Sequence, residues 1–264
     1  MNESDLLKIA IEASVKASKR IMEIYLTEDF EIQSKEDDSP LTKADLAANK
    51  IICELLEKTE IPILSEEGKH LPYSERKSWE YLWIVDPIDG TKEFIKRNGE
   101  FTINIALVRN QVPILGVILV PVTQELYFST SELGSYKCIA TEINNDLERT
   151  IQIAKKLPLN NSTSPYIVAA SISHQTKETV DYIDQLSIEH GEIQLISKGS
   201  SLKLCMVAEG TANCYPRFAP TMEWDTAAGH AICLNAGKDV IDMETKKSML
   251  YNRERLTNNW FLVK

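Results

Sequence analysis

Apolar residues recur at helical spacing in two stretches near the start of the chain. Residues 4–25 carry apolar or small side chains three and four positions apart, with charged residues between them. This spacing predicts an amphipathic helix. A second stretch with the same pattern begins after Thr42 and ends near Leu56. The polar residues 34–40 that precede it predict a loop.

Short apolar runs follow, separated by polar and turn-forming residues. They predict five strands, at residues 61–64, 81–85, 101–107, 112–122 and 125–129. Apolar residues alternate with smaller or polar ones in the third run, which predicts a half-buried strand. The last three runs predict an antiparallel meander. The run at 81–85 is expected to end at Asp86.

Strands and helices alternate in the second half of the chain. Strands are predicted at residues 166–170, 192–196 and 212–215, and helices at 177–190, 201–208 and 226–235. This alternation is typical of α/β units. We therefore predict the α/β fold class, arranged as an α+β layered sandwich in one catalytic domain over residues 1–264. Its N-terminal α+β lobe would span about 1–155 and its C-terminal α/β lobe about 156–264.

Composition narrows the class of protein. With 264 residues, 43% apolar and 26% charged, the chain can bury a large core and has no signature of disorder. No apolar run is long enough to span a membrane, and the first predicted helix is too charged for a signal peptide, so the cytoplasm is the expected compartment. Five scattered cysteines without a C-x-x-C pair predict neither a disulfide framework nor a zinc site.

The net charge limits the partners. A formal charge of −10 argues against a nucleic-acid polymer, because phosphate backbones are bound by basic surfaces. A small anionic substrate is still compatible with an acidic protein if divalent cations reverse the charge of its site. The carboxylates of the chain are therefore the first residues to consider.

Residues 83–91, W-I-V-D-P-I-D-G-T, are the strongest candidate for chemistry. Pro87 stiffens the backbone and Gly90 permits a tight turn, so Asp86 and Asp89 can converge on one point. Hard cations such as Mg²⁺ prefer oxygen ligands of this kind. The alternative is a solvated turn, because Asp, Pro and Gly are all common in turns.

Three further acidic residues lie at the ends of predicted elements. Glu66 follows a strand, Asp225 lies at a helix start, and Asp45 lies early in the second helix. Each has an ordinary explanation, as a solvated loop residue, a helix N-cap or part of a capping box. If all three converge on segment 83–91, metal ions would offset their repulsion. Their spacing alone leaves that convergence open.

Two segments resemble the signatures of a known family. Residues 83–94, W-I-V-D-P-I-D-G-T-K-E-F, resemble the first signature of the inositol monophosphatase-like, lithium-sensitive phosphatases, and residues 224–237, W-D-T-A-A-G-H-A-I-C-L-N-A-G, resemble the second. The pair, in this order and about 140 residues apart, is highly specific. One departure is Lys238, where the family usually has a second small residue. The resemblance extends over nearly the whole chain.

A narrower resemblance is to the 3′(2′),5′-bisphosphate nucleotidases of the CysQ type. It rests on residues 91–95 with 98–102, on 199–203, and on 215–217 with 220–225. It implies a Mg²⁺-dependent hydrolase that removes the 3′-phosphate of 3′-phosphoadenosine 5′-phosphate, gives AMP and serves sulfate assimilation. It also implies the sugar-phosphatase fold, with the active site between the two lobes.

The resemblance implies a role for each matching position. The ligands of roughly two or three Mg²⁺ ions would be four carboxylates and a backbone carbonyl, those of Glu66, Asp86, Asp89, Asp225 and Ile88. Asp45 and Thr91, together with Glu66, would activate the attacking water, and backbone N–H groups of Gly90 and Thr91 would bind the scissile phosphate. The residues that would bind the rest of the substrate are His174, Ser200, Lys203, Arg217 and Asp225.

Two alternatives stay open on these residues. The same metal chemistry could act on inositol monophosphate or a sugar bisphosphate, and only Ser200, Lys203 and Arg217 bear on that choice. A protein that binds the nucleotide without hydrolysing it should lack a ligand or the water-activating pair, and all are present. Monomer and homodimer both stay open. Some CysQ-type proteins lie at the inner face of the plasma membrane, so peripheral association is a further expectation, although nothing in the sequence resembles an anchor.

Overall fold

The computed structural model describes residues 1–27, 30, 32–34, 40–69, 71–143, 146–160, 165–170 and 176–264. Within these residues it contains the helices α1 Glu3–Tyr25, α2 Lys43–Leu56, α3 Tyr73–Arg76, α4 Thr91–Ile95, α5 Leu147–Ile153, α6 Lys177–His190, α7 Leu202–Glu209 and α8 Glu223–Asn235. Two short 3₁₀ turns lie at Glu57–Thr59 and Ala140–Glu142.

The strands are short at both ends of the chain and longer in its middle. They are β1 Gln33–Ser34, β2 Pro40–Leu41, β3 Ile63–Ser65, β4 Tyr81–Asp89, β5 Thr102–Arg109, β6 Val112–Leu119, β7 Glu125–Thr130, β8 Gly134–Ile139, β9 Lys155–Lys156, β10 Tyr166–Ala169, β11 Ile193–Ile196, β12 Tyr215–Arg217, β13 Val240–Asp242 and β14 Phe261–Val263.

A seven-stranded sheet with the order β3-β4-β5-β6-β7-β8-β9 organises the first half of the protein. Within this sheet, β3 and β4 pair in parallel and all the other neighbouring strands pair antiparallel. The predicted antiparallel meander of β5, β6 and β7 is confirmed. The prediction that β5 is half-buried is wrong, because all its residues except Arg109 are buried. The reason is that both faces of the sheet are covered, so the alternating pattern separates two cores and not a core from solvent.

Helices cover the two faces of this sheet. Trp83 and Val85 of β4 pack with residues of α1 and α2 on one side. Leu82 and Ile84, which point the other way, pack with residues of α7 and α8. Each of these helix pairs and the sheet between them form layers, which confirms the predicted layered α/β architecture.

The remaining strands form smaller sheets. Strands β10 and β11 are parallel and are joined through α6, as expected of an α/β unit. The three-stranded sheet β12-β14-β13 is antiparallel, so the predicted alternation describes only part of this half. The strand expected at 212–215 lies further along the chain: β12 begins at Tyr215, the last residue of the predicted range. Whether the halves act as two lobes, divided near residue 155, stays a prediction.

Two boundary corrections bear on the site. Strand β4 does not end at Asp86 but continues to Asp89, with a shift of register between these two residues. Helix α8 begins at Glu223, three residues before the predicted start, so Asp225 lies inside its first turn. Over the described part of the chain, no helix is long and apolar enough to cross a membrane.

Candidate active site

Three carboxylates from two separate elements meet in the structure. Asp86 and Asp89 come from β4, and Asp225 comes from α8. One oxygen of each carboxylate lies within 4.8 Å of the others. The convergence that spacing left open therefore occurs for these three residues.

The backbone of β4 explains how two of them reach one point. The pairing of β4 with β5 is interrupted between Asp86 and Asp89, and the N–H of Ile88 donates to Asp86 Oδ1 at 3.0 Å. Gly90 follows with a φ of +92°, which favours glycine, and α4 begins at Thr91. The strand therefore bends around its own carboxylate before the chain turns into a helix.

Asp225 is fixed by the start of its own helix. Its Oδ2 accepts the N–H of Met222 at 2.8 Å, so Met222 is the N-cap and Asp225 completes a capping interaction from the third helical position. The helix start thereby holds the carboxylate in one orientation. Its other oxygen is left for the cluster.

Burial and mutual repulsion make this cluster unfavourable without a cation. Burial, followed by the charges of Glu66, Asp89 and Asp225, raises the pKa of Asp86 well above its usual range. Burial likewise raises the pKa of Asp89 to about 6. For Asp225, burial and then the charge of Asp89 raise the pKa well above its usual range. Cations that replace the lost hydration would offset these costs.

The donor set fits a hard divalent cation. Asp86 Oδ2 is buried and has no hydrogen-bond partner among the described residues. Glu66 follows β3, which lies beside β4, and its N–H donates to Val85 O at 3.1 Å. Carboxylate and carbonyl oxygens are the ligands that Mg²⁺ prefers. Glu66, Asp86, Asp89, Asp225 and the carbonyl of Ile88 are thus the residues that could hold metal.

Beside the carboxylates lies the pair predicted to activate water. Thr91 Oγ1 is 3.3 Å from Asp45 Oδ1 and 3.3 Å from the carbonyl oxygen of Ile88. The other oxygen of Asp45 accepts the N–H and the hydroxyl of Thr42, at 2.8 and 2.5 Å. Asp45 therefore completes a capping box at α2 and also reaches Thr91, while its part in activating water stays a prediction.

A cleft of about 300 Å³ opens above the cluster. Its lining includes Asp89, Gly90 and Asp225, and it also includes Ser200, Lys203 and Arg217, which we call the basic wall. Asp45, Asp86 and Ile88 are buried and do not line it. An anion in this cleft would thus be near carboxylates, which need a cation, and also near basic side chains of the protein.

Lys203 is held within this wall by backbone carbonyls. Its Nζ donates to Lys198 O at 2.6 Å and to Ser200 O at 3.0 Å, and it lies 5.3 Å from the centre of the Tyr215 ring. Burial lowers the pKa of Lys203 to about 8, although the charge of Asp89 opposes this shift. An ammonium group has three hydrogens, so one stays available for a ligand.

Arg217 lies on the same wall. Its Nε is buried and has no hydrogen-bond partner among the described residues, while its Nη2 donates to Pro220 O at 3.4 Å. A planar guanidinium with an unpaired donor suits an oxyanion. The remaining predicted contact, His174, lies outside the described residues.

Several polar residues at the site were not among the residues predicted from the sequence. Glu93, Glu100 and Lys198 line the cleft, and Asn104 lies behind it on β5. In the half-buried strand that the sequence predicts, Asn104 would lie on the polar face, where an amide is ordinary. Glu93 and Glu100 belong to segments 91–95 and 98–102, which carry the narrower resemblance, and Lys198 directly precedes segment 199–203, but no role was predicted for any of the three.

Comparison with known proteins is consistent with this geometry. The model of the inositol monophosphatase family matches residues 2–262. The chain belongs to this family. The chain is also 41% identical over 261 residues to the 3′(2′),5′-bisphosphate nucleotidase CysQ of Salmonella typhimurium, covering 98% of this chain and 99% of that protein. The corresponding protein of Shigella flexneri is 43% identical over 250 residues, with 94% of each chain covered.

Solved structures of the inositol monophosphatase family share the fold. CysQ from Bacteroides thetaiotaomicron is 50% identical and superposes with a TM-score of 0.91, covering 99% of this chain and 97% of that one. An inositol monophosphatase of Thermotoga maritima, at 21% identity, has a TM-score of 0.76 over 98% of this chain and 92% of its own. The chain is a phosphatase of a metal-dependent family, and its acidic cluster agrees with that chemistry.

Proposed function

We propose that the protein is a Mg²⁺-dependent 3′(2′),5′-bisphosphate nucleotidase that hydrolyses 3′-phosphoadenosine 5′-phosphate to AMP and phosphate and serves sulfate assimilation. The observation that supports it best is that one cleft is lined both by the carboxylates of Asp89 and Asp225 and by the basic side chains of Lys203 and Arg217. A substrate with two phosphates can place one at the metal ligands and the other at the basic wall. The bisphosphate nucleotidases named among its relatives act on such a substrate.

The residues suggest how the reaction proceeds. Bound divalent cations, two or three in our proposal, would neutralise the scissile phosphate and make a nearby water more acidic. Thr91 would orient this water through its hydroxyl and pass a proton to Asp45 Oδ1, 3.3 Å away. The first turn of α4, at Gly90 and Thr91, presents backbone N–H groups that would donate to the phosphate.

Substrate preference tests the proposal directly. Phosphate release is measured from 3′-phosphoadenosine 5′-phosphate, inositol 1-phosphate and fructose 1,6-bisphosphate, with Mg²⁺, with Li⁺ added, and after chelation. We expect strong preference for the nucleotide, loss of activity on chelation and inhibition by Li⁺. Preference for inositol 1-phosphate would agree with the metal chemistry but would show that the nucleotide is not the substrate. No release from any of them would favour a protein that binds the nucleotide without hydrolysing it.

The Arg217→Ala variant tests the basic wall. A hydrogen bond to a charged group contributes about 1.5–3 kcal/mol, which corresponds to a KM about 10- to 100-fold higher. We expect this rise for 3′-phosphoadenosine 5′-phosphate and a much smaller one for 3′-AMP, which lacks the second phosphate. Arg20→Ala, an exposed arginine on α1, is the control and should change neither KM. Equal rises in KM for both substrates would show that Arg217 does not bind the second phosphate.

A further inference from the structure

A buried polar cluster lies directly behind the carboxylate of Asp89. It consists of Thr102 and Asn104 on β5 and Ser201, which precedes α7, and none of the three is more than 2% exposed. In the pairing of the two strands, Asn104 lies opposite Asp86. Polar groups so deeply buried are kept only where their hydrogen bonds are made.

The chemistry of its partners fixes the orientation of the Asn104 amide. Asn104 Nδ2 is 3.4 Å from Asp89 Oδ2, and its Oδ1 lies 2.9 Å from Ser201 Oγ and 3.0 Å from Thr102 Oγ1. An ionised carboxylate only accepts hydrogen bonds, whereas both hydroxyls can donate. A flipped amide would set its oxygen against the carboxylate. Nδ2 therefore faces Asp89, and the hydroxyls donate to Oδ1.

Asp89 is thereby tied through Asn104 to a second element of the fold. Nδ2 of Asn104 faces Asp89, while its Oδ1 accepts from Ser201 Oγ, in the segment that leads into α7. The Asp89 carboxylate can then be oriented by a side chain of the central sheet that is itself held by this segment. Groups that hydrogen-bond a metal ligand set its orientation, and their loss typically lowers metal affinity 10- to 100-fold.

We propose that Asn104 is a positioning residue, which orients Asp89 toward a bound divalent cation and ties that carboxylate to the start of α7. The proposal rests on the metal site put forward above. Thr102 Oγ1 is also 3.2 Å from Ser200 Oγ, so the cluster reaches the basic wall as well. Loss of the Asn104 side chain should therefore weaken metal binding first and raise KM second.

Metal titration of the protein without substrate tests this role. Mg²⁺ is titrated by calorimetry into chelator-treated protein, and we expect Asn104→Ala to raise the Kd about tenfold or more. The matched control is Asn252→Ala, a buried asparagine whose amide bonds Arg76 at both ends, at 2.8 Å each. Both variants should lower the unfolding temperature of the metal-free protein, but only Asn104→Ala should change the Kd.

The outcomes separate the possible roles of Asn104. A Kd within twofold of the original, with an unfolding temperature lowered as in Asn252→Ala, would make Asn104 a merely structural residue. If Asn104→Ala does not fold, Asn104→Ser serves instead, because a serine retains polarity but is too short to reach Asp89. Failure of the unsubstituted protein to bind Mg²⁺ would overturn both the metal site and this inference. If the protein binds Mg²⁺ as expected but prefers another substrate, only the proposed nucleotide substrate is contradicted.

Discussion

Asp86 lies in a position that lowers the stability of the metal-free protein. Its carboxylate is 1% exposed, and Oδ2 has no hydrogen-bond partner among the described residues. Burying a charge without a partner is costly, and the carboxylates of Glu66, Asp89 and Asp225 add repulsion. Such a group is expected to weaken the metal-free fold and to gain its stabilising partner only when a cation binds.

The Asp86→Asn variant separates these two effects. Phosphate release should fall by about 1000-fold or more, equivalent to about 4 kcal/mol of transition-state stabilisation. The unfolding temperature of the chelator-treated variant should equal or exceed that of the original protein, because a buried charge has been removed. Added Mg²⁺ should raise the unfolding temperature of the original protein more than that of the variant.

The control for this prediction is Asp184→Asn. Asp184 is exposed on α6 and lies outside the cleft, so its substitution should change neither activity nor unfolding temperature. Near-normal turnover of Asp86→Asn at saturating Mg²⁺ would show that Asp86 is not a metal ligand.

At the scale of helices and strands, close packing between α8 and β6 depends on a glycine. A Cβ on Gly116 would lie 2.4 Å from Ala228 O and 2.9 Å from Ala231 Cβ. Both neighbours belong to α8, whose backbone cannot move away without shifting the helix that carries Asp225. Gly116 thus sets the distance between the central sheet and a helix of the site.

Gly116→Ala should therefore destabilise the protein. Overpacking of a buried contact typically costs about 1–3 kcal/mol, which lowers the unfolding temperature by roughly 2–4 °C for each kcal/mol in a protein of this size. Gly237→Ala is the control: its φ is +79° but nothing lies within 4 Å, so it measures the cost of backbone strain alone. Thermal unfolding followed by circular dichroism should show the larger loss for Gly116→Ala. An equal or smaller loss would mean that α8 shifts without cost.

Elements were predictable where their own residues determine them. The spacing of apolar residues predicted α1 and α2 to within a residue or two, because each has one buried stripe and a capping residue at its start. Helix α6 also has the predicted bounds and a capping residue, although only Thr179 and Leu186 are buried in it. Strand β9 consists of two lysines and has no strand signal; its pairing with β8 makes it a strand. The early start of α8 depends on a cap made by Asp225 from the third helical position, with Met222 as the N-cap, whereas the alternative considered from the sequence was Asp225 as the N-cap itself.

The candidate site was predictable in its residues but not in its arrangement. Two motifs and scattered acidic residues suggested which carboxylates to examine, and the structure brings Asp86, Asp89 and Asp225 together. That Asp89 is held by Asn104 depends on the register of β4 against β5, which no local pattern contains. The distance of Lys203 from the carboxylates likewise depends on how α7 packs on the sheet.

At the scale of the whole molecule, a buried histidine joins α8 to the C-terminal part of the chain. His230 Nε2 lies 2.8 Å from Asp239 Oδ1, and Nδ1 lies 3.1 Å from the hydroxyl of Tyr251. Ser248 Oγ also donates to Asp239 Oδ1, at 2.9 Å. Nε2 therefore carries the proton and donates to Asp239, whereas the hydroxyl of Tyr251 also has Thr226 Oγ1 as an acceptor, at 3.3 Å. A second proton on the ring would place a positive charge at a fully buried position, which burial disfavours.

The pH dependence of stability should reveal this arrangement. Burial lowers the pKa of His230, although the hydrogen bond and charge of Asp239 oppose the shift. In the unfolded chain a histidine has a pKa of about 6.5, so below that pH the unfolded state takes up a proton that the folded state does not. The free energy of unfolding should then fall with decreasing pH, by up to about 1.4 kcal/mol per pH unit from this residue.

The His230→Asn variant should reduce this fall, and the difference from the original protein is the quantity to measure. Buried carboxyls with raised pKa, such as Asp225, act in the opposite direction, because their folded form takes up protons first as the pH falls. Urea unfolding between pH 7.5 and 5.5 in saturating Mg²⁺ is therefore compared for the two proteins under identical conditions. His190→Gln, at an exposed histidine, should keep the original slope. If His230→Asn also keeps the original slope, the buried histidine takes up its proton without disturbing the fold. Stability between pH 7.5 and 5.5 then depends on other groups.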